Sequence, residues 1–323
     1  MASTTATFFD LVRAYIPEVE ARMRAGDGTH HPNLQAAIEH LLSAGGKRIR
    51  PTLALLTGRM LGADLGNTIT LAAAIEMLHT ATLVHDDLID GSLLRRGLPT
   101  LNARWTPGAT VLTGDYVFAR AAQLAAETGS LPLMGVFART LLTIVNGEIT
   151  QLFRTKRADA REDYFDRIYA KTASLFELAS EAGAMLAGSS PEVITAMKAF
   201  GYHVGLAFQI VDDVLDFVGD QEQVGKPVAS DLRQGLITLP TLCYLKQNPE
   251  DPGLSRILAD GHLDGRMLEE LIEAIRDSGA INESLEEARG FAAAGGANLA
   301  GVPDGPERDA LFELAQYVVQ RTV

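Results

Sequence analysis

Cysteine is almost missing from this 323-residue chain: the single Cys243, in "TLPTLCYL", excludes an internal disulfide and a cysteine-based zinc site. It reads as a small buried hydrophobe. Positive charge is also short. With 28 Lys plus Arg against 41 Asp plus Glu the net charge is −13, and no long basic stripe is present, so a nucleic-acid partner is excluded. The opening "MASTTATFFDLVRAYIPEVEARMRAG" lacks a charged start followed by a long apolar core, so no leader is expected. The most apolar stretch, Leu71 to Val84, is interrupted by Glu76 and His79 and is too short to span a bilayer, so a cytoplasmic protein is expected. Alternating strand patterns are scarce, and no break is long enough for a domain linker.

What is present is helical periodicity along most of a chain that is 47% hydrophobic. It predicts an all-α fold: one domain over residues 1–323, with long central helices around a deep cavity. Helices are expected at about 5–25, 33–44, 50–62, 67–90, 107–127, 131–153, 161–187 and 190–218, and at about 235–247, 265–278, 280–298 and 306–321. Asn67 is the expected cap of the first central helix, and Pro306 suits a first helical position. Turn chemistry marks breaks at "AGDGTHHPN", "KQNPEDPG" and "GVPDGPER".

Two acidic clusters stand out, "LVHDDLID" at 83–90 and "FQIVDDVLDF" at 208–217. On a helix Asp86 and Asp90 share a face while Asp87 is turned about 100° away. Asp212, Asp213 and Asp216 repeat the pattern. Most aspartate-rich helices are solvated faces, but these are flanked by Leu, Val, Ile and Phe, and aspartate is a poor interior helix residue. Carboxylates gathered on apolar helices cost free energy unless a cation neutralises them. Oxygen-only ligands select a hard cation, and magnesium uses a few carboxylates and leaves its other positions to water and phosphate. The Glu-x-x-His pairing repeated on two helices of di-iron bundles is absent near these clusters. Lys47, Arg48 and Arg50 in "GGKRIRP", Arg95 and Arg96 in "RRG", Lys171 and Lys226 supply the cations of a polyanion pocket.

The order Gly-Gly-Lys-Arg-x-Arg-Pro, His, Asp-Asp-x-x-Asp with Arg-Arg-Gly, Gly-Asp, Lys-Thr, then Phe-Gln with a second Asp-Asp-x-x-Asp resembles the trans-isoprenyl diphosphate synthases, or polyprenyl synthetases, over nearly the full length. The resemblance implies the isoprenoid synthase type of helical bundle. It implies a magnesium-dependent prenyltransferase that adds isopentenyl diphosphate head to tail to an allylic diphosphate and releases diphosphate, with three magnesium ions per active site. By the family pattern Asp86, Asp90, Asp212 and Asp216 look like the metal ligands, supported by Asp87 and Asp213. Arg95, Lys171, Gln209 and Lys226 look like contacts to the allylic diphosphate, with Thr172 assigned to substrate binding beside them. Lys47, Arg50, His79 and Arg96 look like the isopentenyl diphosphate site. Leu98 and Leu236 depart from the pattern, the second where many members carry a lysine.

In such enzymes the turns before the first cluster line the tunnel for the growing chain. Here they carry Ala81 and Thr82, then Met77 and Leu78, then Ala73 and Ala74, with no bulky aromatic. Phe118, Ala119 and Ala122, and Leu141, Ile144 and Val145, are expected on facing walls. A product longer than C20 is favoured, in the C30 to C40 class, with geranylgeranyl second. Two rivals are weaker: a terpene cyclase has a different second metal motif, and a non-catalytic subunit of a hetero-oligomeric synthase usually loses an aspartate motif. The resemblance further implies a homodimer and, at product release, transient membrane contact.

Overall fold

Two helices, Leu65–Ile89 and Pro191–Val218, are the longest in the computed structural model, which describes residues 7–25, 31–43, 45–153, 160–218, 228–260, 263 and 265–321. The helices are α1 (Ile16–Arg24), α2 (Pro32–Ser43), α3 (Ile49–Leu61), α4 (Leu65–Ile89), α5 (Leu101–Arg104), α6 (Pro107–Glu127), α7 (Leu131–Leu152) and α8 (Ala160–Ile168). After them come α9 (Ser174–Leu186), α10 (Pro191–Val218), α11 (Ser230–Arg233), α12 (Leu239–Gln247), α13 (Pro252–Asp260), α14 (Gly265–Asp277), α15 (Ala280–Ala297) and α16 (Pro306–Gln320). The all-α expectation holds. No helix of the described residues is long and apolar enough to cross a membrane.

By internal contacts the chain divides into two compact units. The first comprises Met1–Leu142, Leu175–Gly201 and Asn298–Leu314. Its axis is α4, whose residues Leu71 to Ile75, Leu78 and Ala81 are fully buried, and which packs against α6, α3 and α1. A helix apolar on all sides has to be wrapped by others. The cap of α4 is Asp64 rather than Asn67: the Asp64 carboxylate accepts the Asn67 backbone N–H at 2.8 Å. Its other end is stopped by Gly91 at φ 63°, with Gly91 N–H donating to Leu88 and Ser92 N–H to Asp87. That left-handed glycine cap ends the helix directly after the first aspartate cluster.

The second unit comprises Thr143–Ser174, Tyr202–Ala297 and Ala315–Val323. Its core gathers Tyr164, Leu206, Ile210, Phe217, Leu239 and Ile275.

Four local readings are corrected. The expected helix over 5–25 is two 3₁₀ turns, Thr7–Phe9 and Arg13–Tyr15, followed by α1, because Pro17 lacks an N–H and sits only in a first turn. The helix over 161–187 is interrupted by a π-helical turn at Tyr169–Ala173. The break at "KQNPEDPG" contains the start of α13, where Asp251 caps the Leu254 N–H at 2.9 Å and Pro252 is the first helical residue. Finally, "LRRGLP" is a miniature antiparallel hairpin pairing Leu94 with Pro99 and Arg95 with Leu98. Its turn residues Arg96 and Gly97 both have positive φ, 52° and 75°, as a two-residue turn of matching twist requires.

Gly201 is a close-approach position in the first unit. A Cβ there would fall on the Phe176 carbonyl oxygen and the Ser180 hydroxyl and lie 2.8 Å from the Glu177 Cα. Gly201→Ala should destabilise the protein by about 1–3 kcal/mol, as overpacking does. Urea denaturation checks this, and an unchanged midpoint would show that α9 and α10 part freely there.

Candidate active site

The first aspartate cluster ends α4. Asp86 is half-buried and Asp90 exposed, while Asp87 is buried and faces inward. Arg95 of the hairpin meets it side-on: Nε donates to both Asp87 oxygens at 2.9 and 3.1 Å, and a terminal nitrogen lies 2.8 Å from Oδ1. The inner aspartate is thus satisfied by the protein, while the outer pair, one turn apart, stays out of the core. Leu98 is the cross-strand partner of Arg95.

Beside this cluster a small cavity of about 50 Å³ is lined by His40, Arg48, Glu76, His79, Arg95 and Arg96, among others. Arg96 donates to the Gly45 carbonyl, and a Cβ on Gly46 would lie 2.8 Å from its guanidinium. Glycine in "GGKR" therefore lets Arg96 lie flat on the chain that leads to Lys47. Arg48 adopts φ 49°, ψ 34° before α3, and its guanidinium is taken by Glu20 at 2.9 Å and Glu76 at 2.8 Å. Glu76 and His79 do form one Glu-x-x-His pair, but the Glu76 carboxylate is committed to Arg48. Lys47 is exposed, and the Arg50 guanidinium lies over the Phe176 ring, 4.9 Å from its centroid. Burial, then Arg50, Arg96, Arg95 and Arg48, hold the His79 imidazole well below its usual range. His79 is therefore neutral at pH 7 and has one N–H to donate.

The second cluster lies on α10, in the second unit. Asp213 is buried, and its two oxygens accept the Tyr164 hydroxyl at 2.7 Å and the Gln209 amide at 2.8 Å. Burial, with Asp231 adding to it, pushes its carboxyl up to about 8 against the pull of those two donors. Gln209 accepts from the Thr172 hydroxyl at 2.6 Å. Asp212 is 38% exposed and paired with Arg321 at 2.8 Å, while Asp216 caps α11 through Ser230 at 2.8 Å and the Asp231 N–H at 3.1 Å. Lys171 sits in the π turn, a wide turn that recurs at functional sites, with its ammonium 3.1 Å from Glu148. Lys226 lies outside the described residues.

The structure thus brings Asp86, Asp87, Asp90, Lys47, Arg50, His79, Arg95 and Arg96 into the first unit, and Lys171, Thr172, Gln209, Asp212, Asp213 and Asp216 into the second. Met77, Leu78 and Ala81 are buried and Thr82 and Phe118 half-buried, whereas Ala119 and Val145, expected on the tunnel walls, are exposed. Helical phase explains this, since neighbours 100° apart do not share a face. Sequence reasoning missed Tyr164, Glu148, Glu76 and Arg321. Tyr164 lies seven residues before Lys171, two turns along, and that spacing was the available signal; Arg321 had none.

Each motif offers two outer carboxylates and no nitrogen or sulfur ligand, a donor set that fits magnesium, which takes one or two carboxylates and completes its shell with phosphate and water. Among the described residues no three His, Cys, Asp or Glu side chains converge into a ready-made metal cage.

Comparison with known proteins agrees with the pattern. The polyprenyl synthetase family profile matches residues 31–275, through both units. The octaprenyl diphosphate synthase of Escherichia coli K12 is 39% identical over 284 residues, 87% of this chain and 88% of that protein. Heptaprenyl diphosphate synthase component 2 of Geobacillus stearothermophilus is 38% identical over 299 residues, 92% of each chain. The crystal structure of a polyprenyl synthase from Caulobacter crescentus CB15, complexed with calcium and isoprenyl diphosphate, superposes with a TM-score of 0.89 at 37% identity, covering 99% of each chain. Motif order, helical fold and full-length similarity together place the chain in the polyprenyl synthetase family.

Proposed function

We propose that this protein is a magnesium-dependent prenyltransferase that condenses isopentenyl diphosphate with an allylic diphosphate, head to tail, into a polyprenyl diphosphate longer than C20. One observation carries the reading: in both Asp-Asp-x-x-Asp motifs the inner aspartate is satisfied by the protein and the outer two are not buried. Asp86, Asp90, Asp212 and Asp216 are the residues that would hold magnesium. Bound there, the metal neutralises the allylic diphosphate as a leaving group.

The chain's own residues do the rest. Arg95, held rigidly by Asp87, and Lys171 bind the allylic diphosphate, with Lys226, Thr172 and Gln209 completing the set. Lys47, Arg50, neutral His79 and Arg96 hold isopentenyl diphosphate. The allylic C–O bond breaks with its electron pair leaving on diphosphate, and the homoallylic double bond forms the new C–C bond. A proton then leaves to the departing diphosphate, so no protein nucleophile is needed. Apolar walls exclude water from the cation. Residues 1–323 work as one catalytic domain in the cytoplasm, with transient membrane contact as product leaves.

With magnesium, isopentenyl diphosphate and an allylic starter, the purified protein should give a product ladder ending beyond twenty carbons, sized by mass spectrometry after dephosphorylation. Asp86→Asn or Asp212→Asn should lower turnover about 10²–10³-fold, as loss of electrostatic stabilisation does; wild-type rates would remove those carboxylates from the reaction.

Ala81 is fully buried one turn before the cluster, and the short side chains of that turn support a long tunnel. Ala81→Phe should shorten the product toward C20 or below while condensation continues, and an unchanged product distribution would sink the tunnel assignment.

A second copy is the proposed partner. Leu142, Val145, Ile149 and Leu152 recur along one face of α7 and are 62%, 42%, 48% and 58% exposed, an apolar stripe of the kind that marks an interface. Light scattering should give twice the chain mass of 34.6 kDa. Leu142→Glu with Ile149→Glu should yield monomers; a monomeric wild type contradicts the assembly.

A further inference from the structure

Tyr164 belongs to none of the motifs that identify the family, yet it is fully buried and spends its hydroxyl on the second aspartate cluster. A continuous relay follows from it within the second unit. The Tyr164 hydroxyl donates to Asp213 Oδ2 at 2.7 Å, Gln209 Nε2 donates to Asp213 Oδ1 at 2.8 Å, and the Thr172 hydroxyl donates to Gln209 Oε1 at 2.6 Å. Tyr164, Asp213 and Thr172 are 0%, 3% and 6% exposed, and Gln209 between them is half-buried.

The directions of these bonds matter. Gln209 Nε2 donates to Asp213 Oδ1, so the amide turns its NH₂ toward Asp213. Its oxygen then faces Thr172, whose hydroxyl has to donate. The observed amide orientation satisfies both neighbours and aims the second Nε2 hydrogen away from them. Thr172 lies in the π turn Tyr169–Ala173 that also carries Lys171. A buried polar network in which every member is satisfied fixes a single geometry.

We propose that Tyr164 is a positioning residue for the allylic diphosphate: through Asp213 it fixes the Gln209 amide, and through Thr172 it fixes the turn that presents Lys171. This rests on the proposed assignment of Lys171, Thr172 and Gln209 to the allylic substrate.

The test uses the full chain with magnesium and both substrates. Tyr164→Phe should raise KM for the allylic diphosphate about tenfold, the worth of one buried hydrogen bond, and leave KM for isopentenyl diphosphate within about twofold on the same scale. Combined with Thr172→Val, the losses in allylic kcat/KM should be less than multiplicative, because both changes cut the same relay. Equal change in both KM values, no change in either, or fully multiplicative losses would overturn the proposal. The Gln209 side-chain amide resonance gives a readout independent of activity. It should shift in Tyr164→Phe, and in Thr172→Val if the first variant does not fold; an unmoved resonance overturns the relay. A wild type that elongates nothing while the resonance shifts condemns the functional reading and leaves the relay standing.

Discussion

A carboxylate taken out of water has to be answered by the protein or it loses its charge, and that constraint organises both aspartate motifs. Asp87 is answered by a guanidinium in fork geometry, and Asp213 by a phenol and an amide. The two solutions differ in their effect. The Arg95 fork neutralises Asp87, so the end of α4 keeps only the charges of its outer aspartates. Tyr164 and Gln209 are uncharged donors whose pull is outweighed by burial and by Asp231 nearby, which leave the Asp213 carboxyl raised. The outer aspartates stay half-buried or exposed on helices that are otherwise apolar, with Asp212 paired to Arg321 and Asp216 capping α11.

The basic pocket of the first unit meets a second constraint, strain. Arg48 and Arg96 are two of three non-glycine residues with positive φ among the described residues, a conformation that costs about 1–3 kcal/mol unless surroundings impose it. Here the surroundings are visible. Arg48 is clamped by Glu20 and Glu76, and Arg96 sits in the two-residue turn of a hairpin whose neighbouring arginine is bound to Asp87. His40 also reaches that hairpin, with its Nε2 2.7 Å from the Pro99 carbonyl. The strained backbone orients consecutive basic side chains in different directions, so Arg95 serves the aspartate cluster while Arg96 serves the glycine segment before Lys47.

The helices were legible because α10 is periodic over many turns from Pro191 onward and α4 is a long apolar run stopped by Gly91. The aspartate pairing was legible too, since residues four apart share a helix face whatever surrounds them. The rest depends on contacts that cross the sequence. Arg321 reaches Asp212 over 109 positions, and Arg48 reaches Glu76 over 28. The hairpin was missed because two-residue strands have no periodicity; its only mark is Gly97, and Arg96 at positive φ is not a turn residue that propensity suggests. The π turn at Lys171 was missed for a related reason: one extra residue in a helix shifts the phase of all that follows without changing composition.

That phase argument also explains how one helix serves several tasks. α4 is 25 residues long, about 37 Å at 1.5 Å per residue, and it carries Glu76 and His79 at the basic pocket, Met77 and Ala81 in the buried core, and Asp86 and Asp90 at its end. Seven residues separate His79 from Asp86, nearly two full turns, so the imidazole and the outer carboxylate follow one side of the rod. Ala81 is five residues before Asp86, about 140° around from it, so it belongs to a different face. Packing changes at Ala81 therefore alter what lies beside the helix without rotating the aspartates or the histidine. The rod stays in register because Asp64 fixes its start and Gly91 its end. The buried core contacts and the charged end are in this way separable on a single element, each lying on a different side of the same helix.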